Sequence, residues 1–190
     1  DGNHSLATAK TVWEGLKASG DLGIYTRENH PARFALVEIN NIYSPGIEFE
    51  PIHRILFDMD AAVVIESLKK HILQIEKKYS WEELEKNLAA SADNYIGLAG
   101  NAEFHLLKLT SSNSIESVQI IQKYIENELL PKGYEVDYIH GSRALLELCS
   151  NKNHCGIFLK KMQKNELFPF VMKNGPLPKK TFSMGEAHSK

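Results

Sequence analysis

Two short apolar runs, Tyr-Ile-Gly-Leu-Ala at 95–99 and Phe-His-Leu-Leu-Lys-Leu at 104–109, are parted by little more than Gly100-Asn101. This spacing constrains the fold more than any other feature. Parallel strands need a crossover of a dozen residues or more, and the gap is far too short for one. The runs must therefore pair antiparallel, across a turn that is the strongest hairpin dipeptide in reverse order.

The rest of the chain is read outward from that hairpin. Leu6, Ala9, Trp13 and Leu16 recur at three- and four-residue steps, which predicts an amphipathic helix ended by Gly20, with Asn3 or Ser5 to cap its start. Phe34-Ala35-Leu36-Val37-Glu38-Ile39 reads as a buried strand. After the Ser44-Pro45-Gly46 turn, residues 49–57 read as its hairpin partner, with His53 and Arg54 on opposite faces. Val64 or Ile65, Leu68, Ile72 and Ile75 predict one long helix over 58–78. Ser80 with Glu83 forms a capping box that opens a shorter helix to residue 88.

A third long helix is expected over 114–130, striped by Ile115, Val118, Ile121, Ile125 and Leu129 and closed by Pro131-Lys132-Gly133. Strands at 134–139 and 155–160 flank a short helix at 143–149, and 165–172 adds a helical turn or two. Hairpins outnumber β-α-β crossovers. The expected architecture is α+β: a mixed, largely antiparallel sheet flanked by three long helices, in one domain over 1–190 with any seam near 89–94.

Charge and composition narrow the function. Lys plus Arg (22) nearly balance Asp plus Glu (24) for a formal net charge of -2, which leaves no cationic excess to coat nucleic acid or hold an acidic membrane. The longest apolar stretch, at 61–65, falls far below the roughly 20 residues that span a bilayer. Two cysteines, Cys149 and Cys155, do not make a disulfide framework, so a cytoplasmic chain with free thiols is expected. The chain opens without an initiator Met, and a fragment of a longer polypeptide is the expectation.

Four polar clusters carry candidate chemistry. Asp1-Gly2-Asn3-His4-Ser5 leads directly into a helix start, where free N–H groups and the positive end of the helix dipole suit phosphate; an ordinary capped helix is the plain alternative. It also resembles the Gly-Asn-His-Glu/Asp signature of metallophosphoesterases, but Ser5 stands in place of the acid and that family's other motifs are absent. His53-Arg54 offers a proton carrier and a bidentate guanidinium, or else a solvated edge pair. His140-Gly141 lies at a strand-to-helix junction, where side chains often converge on a ligand and where a turn histidine is equally ordinary. Lys179-Lys180, behind Pro178, presents two ammonium groups that are otherwise plain surface lysines. Neither a Cys-x-x-Cys pair nor a phosphate-cradling Gly-x-x-x-x-Gly-Lys loop occurs, and no metal ligand set is expected.

Taken in order, Asp1-Gly2-Asn3-His4-Ser5, His30-Pro31-Ala32, Pro51-Ile52-His53-Arg54, Tyr138-Ile139-His140-Gly141 and Gly175-Pro176-Leu177-Pro178-Lys179-Lys180-Thr181-Phe182 resemble the carboxyl-terminal half of the family catalogued as domain of unknown function 1015. That family's first motif usually reads Asp-Gly-His-His-Arg, so Asn3 and Ser5 are departures, and the arginine lost at Ser5 removes a phosphate partner. The motif is also similar to the Gly-x-x-Arg nucleotide-phosphate box of the ParB and sulfiredoxin superfamily, which includes nucleotide-dependent free-serine kinases.

The resemblance implies that the amino-terminal half of the same polypeptide is missing. It also implies a nucleotide or phosphorylated small molecule as ligand, with Mg2+ as an admissible companion, and phosphoryl transfer as the reaction. In that reading His4, His53 and His140 are catalytic, while Asp1, Gly2, Asn3, Ser5, Arg54, Gly141, Lys179 and Lys180 bind the ligand. The alternatives are a non-catalytic binding or regulatory module and, behind it, a metal-dependent phosphoesterase.

Overall fold

The computed structural model describes residues 3–151 and 153–184, and side chains from Ser5 onward. The chain forms two compact units, Asp1–Ser44 and Pro45–Lys190. The possible seam at 89–94 falls inside the larger unit, between a helix and the strand that follows it.

The smaller unit is helix α1 (Asn3–Ser19) followed by turns and a single 3-10 turn, Pro31–Arg33. His30 organises it. The Nδ1 atom accepts from the Ala32 N–H at 3.0 Å and so caps the 3-10 turn, while the ring packs 5.4 Å from Trp13 and 5.3 Å from Tyr25. The strand expected at 34–39 is not there. Among the described residues, no backbone group from 35 to 40 makes a hydrogen bond.

The larger unit is built on seven strands: β1 (Glu50–Leu56), β2 (Ile72–Lys78), β3 (Tyr95–Gly100), β4 (Glu103–Leu109), β5 (Val136–His140), β6 (Cys155–Phe158) and β7 (Phe182–Ser183). Six of them run in the order β2-β4-β3-β6-β1-β5, and β7 pairs with the start of β1. Every pairing is antiparallel, so the sheet is less mixed than expected. The β3-β4 hairpin forms as predicted, with Gly100 opposite Glu103 across Asn101 and Ala102, both at positive φ. With 34–39 unpaired, β1 takes β5 and β6 as its long neighbours instead.

The long helix expected over 58–78 is the main correction. Only α2 (Ala61–Leu68) is α-helical; one 3-10 turn follows, and then the edge strand β2. A bulge explains the misreading. Between Ile72 and Gln74 the register with β4 shifts, so that Ile72 opposes Leu109 and Ile75 opposes Leu107. Three steps on β2 match two on β4, which puts Ile72 and Ile75 on one face at the spacing of a helix turn.

Helices cover both sheet faces. Helices α2 and α4 (Ser114–Tyr124, continued by a π turn to Leu129) pack Val64, Leu68, Val118, Ile121 and Ile125 against Leu56, Ile96, Leu98, Leu107 and Ile157. On the opposite face α3 (Trp81–Ala90) and α5 (Ser142–Cys149) pack Leu84, Leu88 and Leu145 against Ile55, Ala99, Leu106 and Phe158. The Ser80 cap forms as predicted, its hydroxyl accepting from Glu83 N–H at 3.2 Å. Helix α6 (Lys164–Asn174) is longer than the one or two turns expected. Cys155 joins the first core and Cys149 the second, so the two thiols lie on opposite faces and stay free.

A side chain at Gly156 of β6 would meet Cys149 Sγ and lie 3.0 Å from Leu145 Cγ. This strand glycine is what lets α5 approach the sheet closely. Gly156→Ala is expected to lower stability by about 2 kcal/mol through overpacking, read from the midpoint of urea unfolding. Adding Cys149→Ala should recover part of the loss, and a double variant no better than the single one would contradict the close-approach account. Among the described residues, no helix is long and apolar enough to cross a membrane.

Candidate functional site

The candidate site in the larger unit grows from the start of β1 and the end of β5, two antiparallel neighbours. Register places Arg54 opposite Tyr138 and Ile52 opposite His140. Those four share the α4 face of the sheet, while His53 and Ile139 face α3 and α5, because successive strand residues alternate. His53 and Arg54 therefore do occupy opposite faces, and the histidine cannot serve the same cleft as the guanidinium.

Arg54 is wholly buried. It donates through one terminal nitrogen to the Ile52 carbonyl and through the other to Gln122 Oε1 at 3.3 Å and the Lys179 carbonyl at 3.4 Å. The guanidinium lies 4.9 Å from the centre of the Tyr138 ring, a cation–π distance. Its Nε–H has no partner among the described residues. Burial pulls the guanidinium down to about 10, with Tyr138 acting in the other direction, and it remains a cation at neutral pH.

Among the described residues, no carboxylate bonds Arg54 directly. Gln122 intervenes: its Nε2 donates to Glu126 Oε1 at 3.0 Å and approaches the Tyr138 hydroxyl at 3.0 Å. A buried cation whose bonds all go to neutral oxygens is electrostatically undercompensated, since burial of charge is normally balanced by an opposite charge.

Around this buried group stand exposed ones. His140 Nδ1 lies 3.2 Å from Ser183 Oγ of β7. The Lys180 ammonium sits 5.9 Å from the Tyr138 ring centre. Lys180 has φ +58°, and the turn it belongs to is fixed by Thr181 Oγ1 donating to the Pro178 carbonyl at 2.6 Å. Lys179 contributes its carbonyl to Arg54. Gly141, at φ +81°, makes the bend from β5 into α5 that a side chain would strain.

His53 is buried and its Nδ1 accepts from the Leu159 N–H at 3.1 Å. Burial first, then the charges of Arg54 and His140, push it down to about 4. It is neutral at physiological pH, which departs from the proton carrier expected of it: a base of that strength holds almost no protons at neutrality.

In the smaller unit, α1 starts at Asn3 with no acidic residue in its first turn. Ser5 is exposed there. Asp1 and Gly2, and the side chains of Asn3 and His4, lie outside the described residues. Among the described residues no three His, Cys, Asp or Glu side chains converge as a metal site.

A cleft of about 470 Å³ in the larger unit is lined by Ser67, Lys70, His71, Lys123, Tyr124 and Glu128, among others, and by none of the predicted site residues. Gln122 and Ser183 escaped the sequence reading. Gln122 does leave a signal: it sits four residues after Val118 and seven after Ile115, a polar side chain on the apolar stripe of α4.

Proteins of known structure share this fold. A conserved hypothetical protein from Pyrococcus furiosus is similar at TM-score 0.58 and 16% identity, the match covering 79% of this chain and 61% of that one. A free serine kinase in complex with AMP is similar at TM-score 0.59 and 15% identity, over 92% of this chain and 78% of that one. A mutant free serine kinase in complex with ADP gives 0.58 and 15%, over the same shares. At such identities the likeness is one of fold. No curated protein matches the chain in sequence. The family model described as "Protein of unknown function (DUF1015)" matches residues 1–130, and the chain belongs to that family.

Proposed function

We propose that the chain binds a nucleotide or a phosphorylated small molecule and acts in phosphoryl transfer. The observation that carries this reading is the undercompensated cation of the larger unit: buried Arg54, with Lys180 and His140 exposed beside it, in a setting that favours an anion. The fold shared with kinases that hold AMP and ADP supports it. In the smaller unit, the start of α1, with no acidic residue in its first turn, suits phosphate, and Asn3, His4 and Ser5 are the residues of that turn. Gly141 and Lys179 then act through backbone geometry, while His140 carries the proton that His53 cannot.

Titration with ATP, ADP and CTP tests the reading. Binding below millimolar concentration is expected, weakened about tenfold or more by His4→Ala and by Lys180→Ala, a loss of about 1.4 kcal/mol for each factor of ten. Absence of binding by all three nucleotides, or unchanged affinity in both variants, would overturn it.

One observation favours the second reading, a non-catalytic binding or regulatory module: His53 and Arg54 face opposite sides of the sheet, which leaves fewer candidate catalytic groups on the face of Arg54. Nucleotide binding without phosphoryl transfer to any hydroxyl acceptor would decide for that module.

A further inference from the structure

The smaller unit leaves an unusual amount of apolar side chain in water. Leu36 is 104% exposed, Ile39 94%, Phe34 66% and Val37 58%, within one run of six residues. Both alternating faces of the run are apolar, Phe34 and Leu36 on one and Ala35, Val37 and Ile39 on the other, and Glu38 is the only charge. Strands buried on both faces have this composition; strands with one wet face do not. The backbone agrees. Phe34 is extended, and no N–H or C=O from 35 to 40 is hydrogen-bonded among the described residues. A run with strong strand character and unspent backbone groups is one half of a β-ladder.

We infer that residues 34–40 form an interior strand of a β-sheet whose adjoining edge is supplied by the same polypeptide outside residues 1–190. A second copy of this chain is the weaker occupant. Two such runs paired with each other would make a two-stranded ribbon with both faces uncovered, and isolated ribbons of that kind are marginal in water. The same polypeptide is favoured because proteins of this fold are longer: the match spans 61% of the Pyrococcus chain and 78% of the kinase chain, so each carries segments with no counterpart here. A tethered strand also pairs at a high effective concentration. The inference does not depend on nucleotide binding.

Hydrogen exchange on the 190-residue chain and on the natural-length polypeptide tests it, with the β3 and β4 amides as the internal control for a folded larger unit. In the 190-residue chain the amides of 35–40 are expected to exchange near the unstructured rate. In the longer polypeptide they should slow by about 100-fold or more, as ladder hydrogen bonds do. Four results would overturn the inference: no slowing in the longer polypeptide; slowing in the 190-residue chain that grows with concentration, which assigns the edge to a second copy; slowing there that ignores concentration; or a natural polypeptide with nothing outside these residues.

Discussion

Arg54→Ala is expected to lower folding stability by about 4 kcal/mol. The truncation takes the guanidinium away from the Ile52 and Lys179 carbonyls and leaves Gln122 Oε1 with the Tyr138 hydroxyl at 3.4 Å. Each buried acceptor left without a donor costs about 1–3 kcal/mol, and the empty volume adds to that. Arg54 joins β1, β5, α4 and the turn at 178–181, so its loss should also loosen the segment that carries Lys179 and Lys180.

The informative companion is Arg54→Met. It fills much of the same volume without a charge, so it removes the cavity cost of the Ala variant and leaves that of the acceptors deprived of their donor. If Arg54 serves only the fold, Met should be more stable than Ala by the cavity cost alone, and nucleotide affinity should be unchanged. If the guanidinium is retained for an anion, as proposed, the Met variant should fold and lose the stabilisation that ligand binding confers. Denaturant titrations with and without ADP separate the two. An Ala variant within about 1 kcal/mol of wild type would show that the observed hydrogen bonds contribute little.

How far the sequence discloses this arrangement depends on how local each determinant is. The β3-β4 hairpin, the Ser80 cap and the α4 stripe rest on neighbours in the chain and were legible. The β2 strand was not, because its bulge gives Ile72 and Ile75 the spacing of a helix, and only pairing with Leu109 and Leu107 reveals the difference. Residues 34–39 show the converse: their composition is that of a strand, yet no strand forms, because none of the described residues pairs with them.

The site was legible to the same extent. His53 and Arg54 were assigned to opposite faces by simple alternation, and register bears that out. Their burial was not legible, because it depends on Phe158, α4 and the turn at 178–181, all distant in sequence. Nor was the partnership of Arg54 with Gln122, which lies 68 residues away.

Acid should expose the burial of His53. An unfolded chain protonates His53 near its ordinary value of about 6.5, while the folded chain resists until about 4, because burial and the Arg54 cation oppose a second charge. Above 6.5 both states hold a neutral imidazole and the residue costs nothing. As pH falls below 6.5 the unfolded state binds the proton first, so stability is lost progressively down to about 4. The full loss is on the order of 3 kcal/mol at 1.36 kcal/mol per pH unit. His53→Asn isolates this contribution, since its side-chain oxygen can still accept from Leu159 N–H and does not titrate. Denaturant unfolding at pH 7 and pH 4 should therefore show wild type losing about 3 kcal/mol more than the variant. Parallel stability curves for wild type and His53→Asn would mean that the imidazole charges freely in the folded state, and would return His53 to the list of groups able to carry a proton near neutrality.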